Sequence, residues 1–293
     1  MASNTTAKFA SPPPPTPTYI LTFPAPHVLL LTINRPRAMN SLSFASQWEA
    51  DSLFQWFDSE PTLRVAVVTG TGRAFCAGQD LIEQRDITVL RARQAQGEDT
   101  GDKLDRRLLT HPPNGFMGLS RRVGKKPIIA AVNGHALGGG FEICLGCDMI
   151  VASPRATFGL PEAARGLYAA AGGLSRLVRQ AGMTVASEIA MMGRILTAPE
   201  AVQHGIANRV SKTHESLVDE AVDMASRIAS LSPDAIIVTR AGLRQSWEDG
   251  SVERATQITE LEYGPRLRNG RNLAIGLRAF AEKKVPVWEP SKL

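Results

Sequence analysis

Cysteine is scarce in this chain of 293 residues, which contains only Cys76, Cys144 and Cys147. Three cysteines cannot all pair in a disulfide framework, so the sequence favours a reducing compartment. Cys144 and Cys147 form a C-x-x-C pair, but no second cysteine pair or histidine cluster accompanies it, which argues against a metal or redox centre. At that spacing on a helix, both thiols are expected to lie on an apolar face.

Long apolar runs and clustered charge are also missing. No run approaches the roughly 18 apolar residues that a membrane helix requires, and we expect no membrane span and no secretory leader. The net charge is +5 and the sequence pI about 9.3, but the basic residues are not interleaved with aromatics, so nucleic acid is not an expected partner. An anionic small molecule fits better. No metal or nucleotide cofactor is expected, because no G-x-G-x-x-G follows a strand.

Apolar runs alternate with helical patterns in the first half, which is typical of strand–helix units and predicts an α/β fold. We expect a core over residues 18–210 and a helical region over 211–288. They are flanked by a disordered or polyproline II extension over 1–17 and an exposed tail over 289–293. The predicted strands are Tyr19–Phe23, Val28–Ile33, Val65–Thr69, Ile128–Val132 and Met149–Ala152.

Helical periodicity is present between and after these strands. A polar segment from Glu83 to Pro113 is instead predicted to be irregular and to form a flexible flap over the substrate. The predicted helices are Phe44–Phe57, the C-terminal part of Leu104–Val123, Leu174–Gln180, Val185–Met192, Pro199–His204, Glu215–Ser230, Pro233–Gln245, Val252–Leu267 and Asn272–Glu282.

Two glutamates that follow glycine-bearing turns are the strongest functional signal. Glu142 comes directly after Gly138-Gly139-Gly140-Phe141, and Glu162 ends Phe158-Gly159-Leu160-Pro161-Glu162. A third small-residue loop, Ala74–Asp80, lies upstream. Such turns let backbone N–H groups approach a ligand closely, and glutamates supply acid/base chemistry. The pattern predicts a site that polarises a carbonyl and moves protons beside it.

Four segments carry a resemblance to a known family: Asn34–Leu42, Ala74–Leu81, Lys126–Asp148 and Thr157–Leu177. By these segments, in this order and spacing, the chain resembles the enoyl-CoA hydratase/isomerase (crotonase) family from about Tyr19 to Trp288. The resemblance implies a crotonase-like spiral of β-β-α units with C-terminal helices that mediate trimerisation, often as a dimer of trimers. It also implies acyl-CoA thioester substrates, with CoA as part of the substrate and not a cofactor.

The resemblance also assigns the site residues. It implies an oxyanion hole formed by the backbone N–H groups of Gln79 and Gly139, with Gly138 as the alternative if the register shifts by one. Helix N-termini expose unpaired N–H groups, and one such donor contributes about 3 kcal/mol to transition-state stabilisation. Glu162 is expected to transfer the proton at C2, and Glu142 is expected to activate water at C3. The implied CoA contacts are Arg37, Ala38, Ala77, Gln79, Asp80, Leu81, Gly138, Phe280 and Lys283. Phe280 and Lys283 are expected to come from the same or from a neighbouring subunit.

The presence of both glutamates favours hydration of a 2-enoyl-CoA, or the reverse dehydration. Two alternatives remain open: a Δ3,Δ2-enoyl-CoA isomerase that uses Glu162 alone, and a non-catalytic acyl-CoA or RNA binding scaffold. The sequence Ala169-Ala170-Ala171-Gly172-Gly173 departs from the Pro-Gly-Ala-Gly-Gly of typical hydratases. Together with Tyr168, this departure leaves room for a specialised substrate.

The final residues Ser291-Lys292-Leu293 match a peroxisomal import signal, which a receptor reads at a free C-terminus. We therefore expect a peroxisomal enzyme of fatty-acid breakdown or of a specialised secondary pathway.

Overall fold

Two β-sheets form the core of the protein. The structure is a computed structural model, and it describes residues 9–97 and 109–293. The strands in the described residues are β1 (Tyr19–Ala25), β2 (Val28–Ile33), β3 (Val65–Gly70), β4 (Ala74–Cys76), β5 (Ile128–Val132), β6 (His135–Leu137), β7 (Met149–Ala152), β8 (Thr157–Gly159), β9 (Leu196–Thr197) and β10 (Arg209–Val210). The helices are α1 (Phe44–Ser59), α2 (Leu81–Ala95), α3 (Gly139–Gly146), α4 (Gly173–Met192), α5 (Ala198–Gln203), α6 (Leu217–Ala229), α7 (Pro233–Glu248), α8 (Val252–Arg268) and α9 (Arg271–Ala281).

The larger sheet has the order β1-β2-β3-β5-β7-β10, and only the β1–β2 pair is antiparallel. Its central strands are apolar on both faces, as expected for a parallel sheet that is covered on both sides. Ala66 and Val68 of β3 belong to the main core, whereas Val65 and Val67 pack in a second cluster with α6.

The smaller sheet has the order β4-β6-β8-β9 and positions the candidate site. Each of β4, β6 and β8 follows a strand of the larger sheet, so the chain repeats a β-β-α unit as it spirals. These three strands are parallel, and the register of the β4–β6 pair shifts between Ala74 and Cys76. Because the carboxyl ends of parallel strands lie at one edge of a sheet, the segments that follow β4, β6 and β8 meet there.

The structure confirms all five predicted strands and adds the short strands of the smaller sheet. Three-residue strands show no readable alternation in sequence, so they were missed. The two helices predicted between Leu174 and Met192 are the two halves of α4, which is kinked between them at Gly182, where φ is +80°.

The irregular flap predicted from Glu83 to Pro113 is wrong over its first part, which is helical. The carboxylate of Asp80 accepts hydrogen bonds from the N–H groups of Ile82 and Glu83 and so caps α2. Residues 98–108 lie outside the described residues. The helix predicted towards Val123 is also wrong, because only a 3₁₀ turn forms at Phe116–Gly118, between Gly115 and Gly118, which both have positive φ.

From Phe9 onwards the N-terminal segment contacts the core, and the last residues of the chain are hydrogen-bonded to it. Phe9 packs against Phe23 and Trp56, with ring centroids 4.8 and 5.4 Å apart. At the other end, the hydroxyl of Ser291 is hydrogen-bonded to Asp234, and Lys125 Nζ donates to Leu293 O at 2.8 Å.

Within the described ranges, no helix has the length and apolar character needed to cross a membrane.

Candidate active site

The loop after β4 packs directly against the glycine turn after β6. Gly78 has a φ of +94°, and a methyl group added to it would lie 2.9 Å from Leu137 O and 3.1 Å from the backbone nitrogen of Gly139. Only glycine therefore allows both this backbone conformation and this close approach. The approach brings the two predicted donor residues, Gln79 and Gly139, to the same place.

Two buried asparagines hold the loop, and sequence reasoning assigned neither of them a role. Asn40 Nδ2 donates to Thr71 O at 2.9 Å and to Ala74 O at 2.7 Å. Asn133 Nδ2 donates to Gly72 O at 2.9 Å, and its Oδ1 accepts from Gly70 N–H. Buried amides that satisfy backbone groups in this way fix a loop in one conformation. Both asparagines lie within the segments that carry the family resemblance, and this position was the only sequence signal that pointed to them.

The backbone N–H groups at these two loops differ in their hydrogen bonding. The N–H of Gly138 donates to Gly159 O at 2.9 Å, so it is not a free donor and does not serve as the alternative to Gly139. Among the described residues, the N–H groups of Gln79 and Gly139 have no acceptor. Gly139 is the first residue of α3, where N–H groups lack an intrahelical partner.

Glu142 lies on the first turn of α3 and is 3% exposed. Its Oε1 accepts a hydrogen bond from the N–H of Gly173 at 2.8 Å, and α4 begins at Gly173. Burial raises the pKa of Glu142 to about 7, with a further contribution from the nearby charge of Glu162, while Arg176 opposes the shift. The carboxyl group can therefore gain or lose a proton near neutral pH. Arg176 was not identified from the sequence.

Glu162 begins the 3₁₀ turn Glu162–Arg165 that follows β8. A methyl group added to Gly138 would lie 3.2 Å from Glu162 Oε1, so the carboxyl group lies against the glycine turn. Its Oε2 is buried and has no hydrogen-bond partner within the described residues. Burial also raises the pKa of Glu162. The charge of Glu162 also contributes to the raised pKa of Glu142.

The segment Ala169–Gly173, which departs from the usual sequence, has left-handed backbone only at a glycine. Only Gly172 in this segment has a positive φ, +101°, so the three alanines meet no conformational restriction. The hydroxyl of Ser120 donates to Ala171 O at 2.8 Å and fixes the turn that presents Gly173 N–H to Glu142. Leu167 and Tyr168 line an apolar cavity of about 330 Å³ that Glu162 also borders.

The predicted CoA contacts fall in two separate places. Arg37 is exposed and Ala38 half-buried in the 3₁₀ turn Pro36–Ala38, and Asp80 pairs with Arg35 at 3.1 Å, close to Ala77 and Leu81. Phe280 and Lys283 are exposed around the C-terminal end of α9. Hydrogen bonds and ion pairs among the described residues do not connect these two to the loops around Gln79.

All three cysteines are free and buried. Burial raises the pKa of Cys76 and of Cys147 to about 12, so their thiols stay protonated at neutral pH. The prediction that Cys144 and Cys147 pack as apolar residues is confirmed.

The fold and the paired glutamates together define a hydratase-type site built on the crotonase spiral. The enoyl-CoA hydratase/isomerase family profile matches residues 25–291. A mevalonyl-coenzyme A hydratase of Aspergillus fumigatus is 47% identical over 94% of this chain and 96% of its own length. A carnitinyl-CoA dehydratase of Proteus mirabilis is 37% identical over 89% and 95%. The crystal structure of an enoyl-CoA hydratase from Mycobacterium tuberculosis H37Rv has a TM-score of 0.78 at 30% identity, covering 94% of this chain and all of that one.

The chain belongs to the enoyl-CoA hydratase/isomerase family. Within that family it is a hydratase, a carbon–oxygen lyase, and its α/β fold is the crotonase fold.

Proposed function

We propose that the protein adds water syn across the C2=C3 bond of a 2-enoyl-CoA thioester, or removes it from the 3-hydroxyacyl-CoA. The observation that supports this most directly is the unpartnered, buried Oε2 of Glu162 beside Glu142, next to two unpaired backbone N–H groups. A buried carboxylate oxygen without a partner carries a desolvation cost unless a water or a substrate binds it.

The proposed mechanism begins at the thioester carbonyl. Its oxygen accepts hydrogen bonds from the N–H groups of Gln79 and Gly139, which stabilise the enolate that forms when a nucleophile attacks C3. Glu142 takes a proton from the attacking water, and Glu162 delivers a proton to C2. In the reverse direction, Glu162 removes the C2 proton and Glu142 protonates the departing 3-hydroxyl group, which leaves as water. A pKa near 7 suits Glu142 to both directions.

The acyl group that we propose is short, branched and polar at its far end. Mevalonyl and carnitinyl groups, which name the substrates of two relatives, both carry a 3-hydroxyl group and a polar terminus. The higher identity to the mevalonyl-coenzyme A hydratase favours a 3,5-dihydroxy-3-methylpentanoyl thioester and its 2-enoyl product. Such a substrate belongs to a specialised pathway more readily than to fatty-acid breakdown.

Single substitutions of the two glutamates test the reaction. Glu142→Gln and Glu162→Gln keep side-chain volume but remove the acid/base function, so each should lower kcat/KM for hydration by about 10²- to 10⁴-fold. Water addition is followed by loss of enoyl absorbance and by mass spectrometry. Glu253→Gln, an exposed position on α8, is the matched control and should behave as the unmodified enzyme. Double-bond migration that survives Glu142→Gln would instead identify an isomerase.

We further propose that copies of the chain assemble through the C-terminal helices into a trimer or a dimer of trimers. Large apolar side chains on α8 and α9 are exposed, among them Leu261, Leu277 and Phe280. Assembly would also let Phe280 and Lys283 of one subunit approach the CoA nucleotide bound by another, which would account for their separation from the loop within one chain.

A peroxisomal location is also proposed, on the sequence Ser291-Lys292-Leu293. Two of these residues are held by Asp234 and Lys125, so an import receptor would have to release them before it could bind the tripeptide. An N-terminally labelled protein should be found in peroxisomes and spread through the cytosol when residues 291–293 are removed. An unchanged distribution would contradict the proposal.

A further inference from the structure

A chain of hydrogen-bonded side chains runs beside the predicted oxyanion donor Gln79. His111 Nδ1 lies 2.7 Å from Gln47 Oε1, Gln47 Nε2 donates to Gln79 Oε1 at 2.7 Å, and Gln79 Nε2 donates to Glu83 Oε2 at 3.2 Å. We call His111, Gln47, Gln79 and Glu83 the polar chain. Its members come from α1, the start of α2 and the segment before Phe116, so only the tertiary fold brings them together.

The hydrogen bonds of the polar chain all point in one direction. Because Gln47 Oε1 can only accept, His111 Nδ1 must carry the proton, which fixes the tautomer and leaves Nε2 as an acceptor. Burial, helped by Arg121, lowers the pKa of His111, so the ring is neutral at neutral pH. Within residues 9–97 and 109–293, neither His111 Nε2 nor the second N–H of Gln79 has a partner. Among the described residues, one acceptor and one donor are therefore left over, and a hydroxyl group can donate to the first kind of group and accept from the second.

The polar chain lies against both predicted oxyanion segments. Gln79 supplies the first backbone donor and a middle member of the chain. The ring of His111 packs on Phe116 with centroids 5.8 Å apart, and Phe116 fills the space beside Gly139, where an added methyl group would lie 2.8 Å from its ring. The next residue, Asp80, pairs with Arg35 near the predicted CoA contacts. The polar chain therefore lies beside the segments that supply both predicted oxyanion donors.

Placing polar groups here has an energetic cost that an apolar acyl group would not offset. Gln47 is 0% exposed and lies on the buried face of α1. Buried amides are tolerated only when they are hydrogen-bonded, and apolar residues of similar volume would suit a hydrocarbon acyl chain better.

We propose that the polar chain is a subsite that binds a hydroxyl group at the far end of the acyl moiety, with His111 Nε2 as acceptor and Gln79 Nε2 as donor. The inference rests on the proposed hydration reaction and adds the feature that selects its substrate. The 5-hydroxyl of a 5-hydroxy-3-methylpent-2-enoyl thioester lies a few bonds beyond the reacting carbons, within reach of a side chain next to the thioester oxygen.

Two thioesters that differ only in this hydroxyl group test the subsite. The probes are 5-hydroxy-3-methylpent-2-enoyl-CoA and 3-methylpent-2-enoyl-CoA, and the readout is the ratio of their kcat/KM values. The unmodified enzyme should prefer the hydroxylated thioester at least about tenfold, because a site built for a hydroxyl group is left with unpaired polar groups by the analogue that lacks it. Gln47→Leu and His111→Phe should each bring the ratio close to one.

A matched control and a binding measurement separate the possible outcomes. Gln55→Leu makes the same change on the exposed face of α1 and should keep the ratio of the unmodified enzyme. Equal preference in the unmodified enzyme, or variants that weaken both substrates in the same proportion, would overturn the subsite. If neither thioester is hydrated, the proposed reaction fails. The ratio of the two dissociation constants, measured by calorimetry, then decides the subsite by itself: tighter binding of the hydroxylated thioester supports it, and equal binding overturns it.

Discussion

Glu142 illustrates, at the scale of one residue, how a buried carboxyl group with a proposed catalytic role lowers the stability of the fold. Its pKa rises from 4.5 to about 7 because the folded chain buries its carboxyl group. The raised pKa means that the folded state holds a proton that the unfolded chain releases at lower pH. The destabilisation is therefore absent below about pH 4.5, grows as the pH rises, and is complete above about pH 7.

Glu142→Gln should consequently stabilise the protein at pH 8 by about 2 kcal/mol and change its stability little at pH 4.5. The glutamine keeps an oxygen that can accept from Gly173 N–H, so the packing of α3 on α4 is preserved. Urea unfolding at both pH values measures the difference. Glu253→Gln, which is exposed, should show no such pH dependence, and equal stabilisation at both pH values would argue against a raised pKa.

At the scale of elements, ion pairs between Asp148 and two arginines of α7 attach this helix to the core. Arg240 of α7 is buried, and its Nε donates to Asp148 Oδ1 at 2.9 Å, while Asp148 Oδ2 also accepts from Ile128 N–H at the start of β5. Burial by itself would raise the pKa of Asp148, but Arg240 and Arg244 lower it below its ordinary value. The carboxylate thus joins α7 to the larger sheet, next to the turn that follows α3.

Removing the buried cation should destabilise the protein more than removing an exposed one. Arg240→Met leaves a buried carboxylate with Arg244 as its remaining cation, and we expect a loss of about 3 kcal/mol in the free energy of unfolding. Arg254→Met removes an ion pair to Asp249 in which Arg254 is exposed, so it should cost less than about 1 kcal/mol. Denaturant unfolding of both variants gives the comparison, and equal losses would contradict the anchoring role of Arg240.

At the scale of the whole molecule, the proposed oligomer accounts for apolar surface that a single chain leaves uncovered. Leu277 is 64% exposed and lies on α9, one turn before Phe280. Contiguous exposed apolar side chains of this kind mark interaction surfaces. Coverage by a second copy would also place the end of α9 near another subunit's active site.

Leu277→Glu should therefore dissociate the oligomer, because a charge would be buried at the subunit interface. Light scattering coupled to size-exclusion chromatography measures the mass. Val89→Glu, a comparably exposed change on α2, is the control and should leave the mass unaltered. If the unmodified chain itself elutes as a monomer, the assembly proposal is wrong.

The sequence by itself determined the long strands, most helices and the family, because these follow from local periodicity and from glycine turns whose backbone conformations few other residues adopt. It also identified Glu142 and Glu162 as candidates, because Glu142 follows the turn at Gly138 and Glu162 closely follows Gly159, which lies at the end of β8. The tertiary structure decided which groups meet: the three-residue strands that align the loops, the engagement of Gly138 N–H, and the contacts of Gln47 with Gln79 and His111. In the polar chain, Gln47 is 32 positions before Gln79 and 64 positions before His111 in the sequence. No local sequence pattern encodes a contact over that separation.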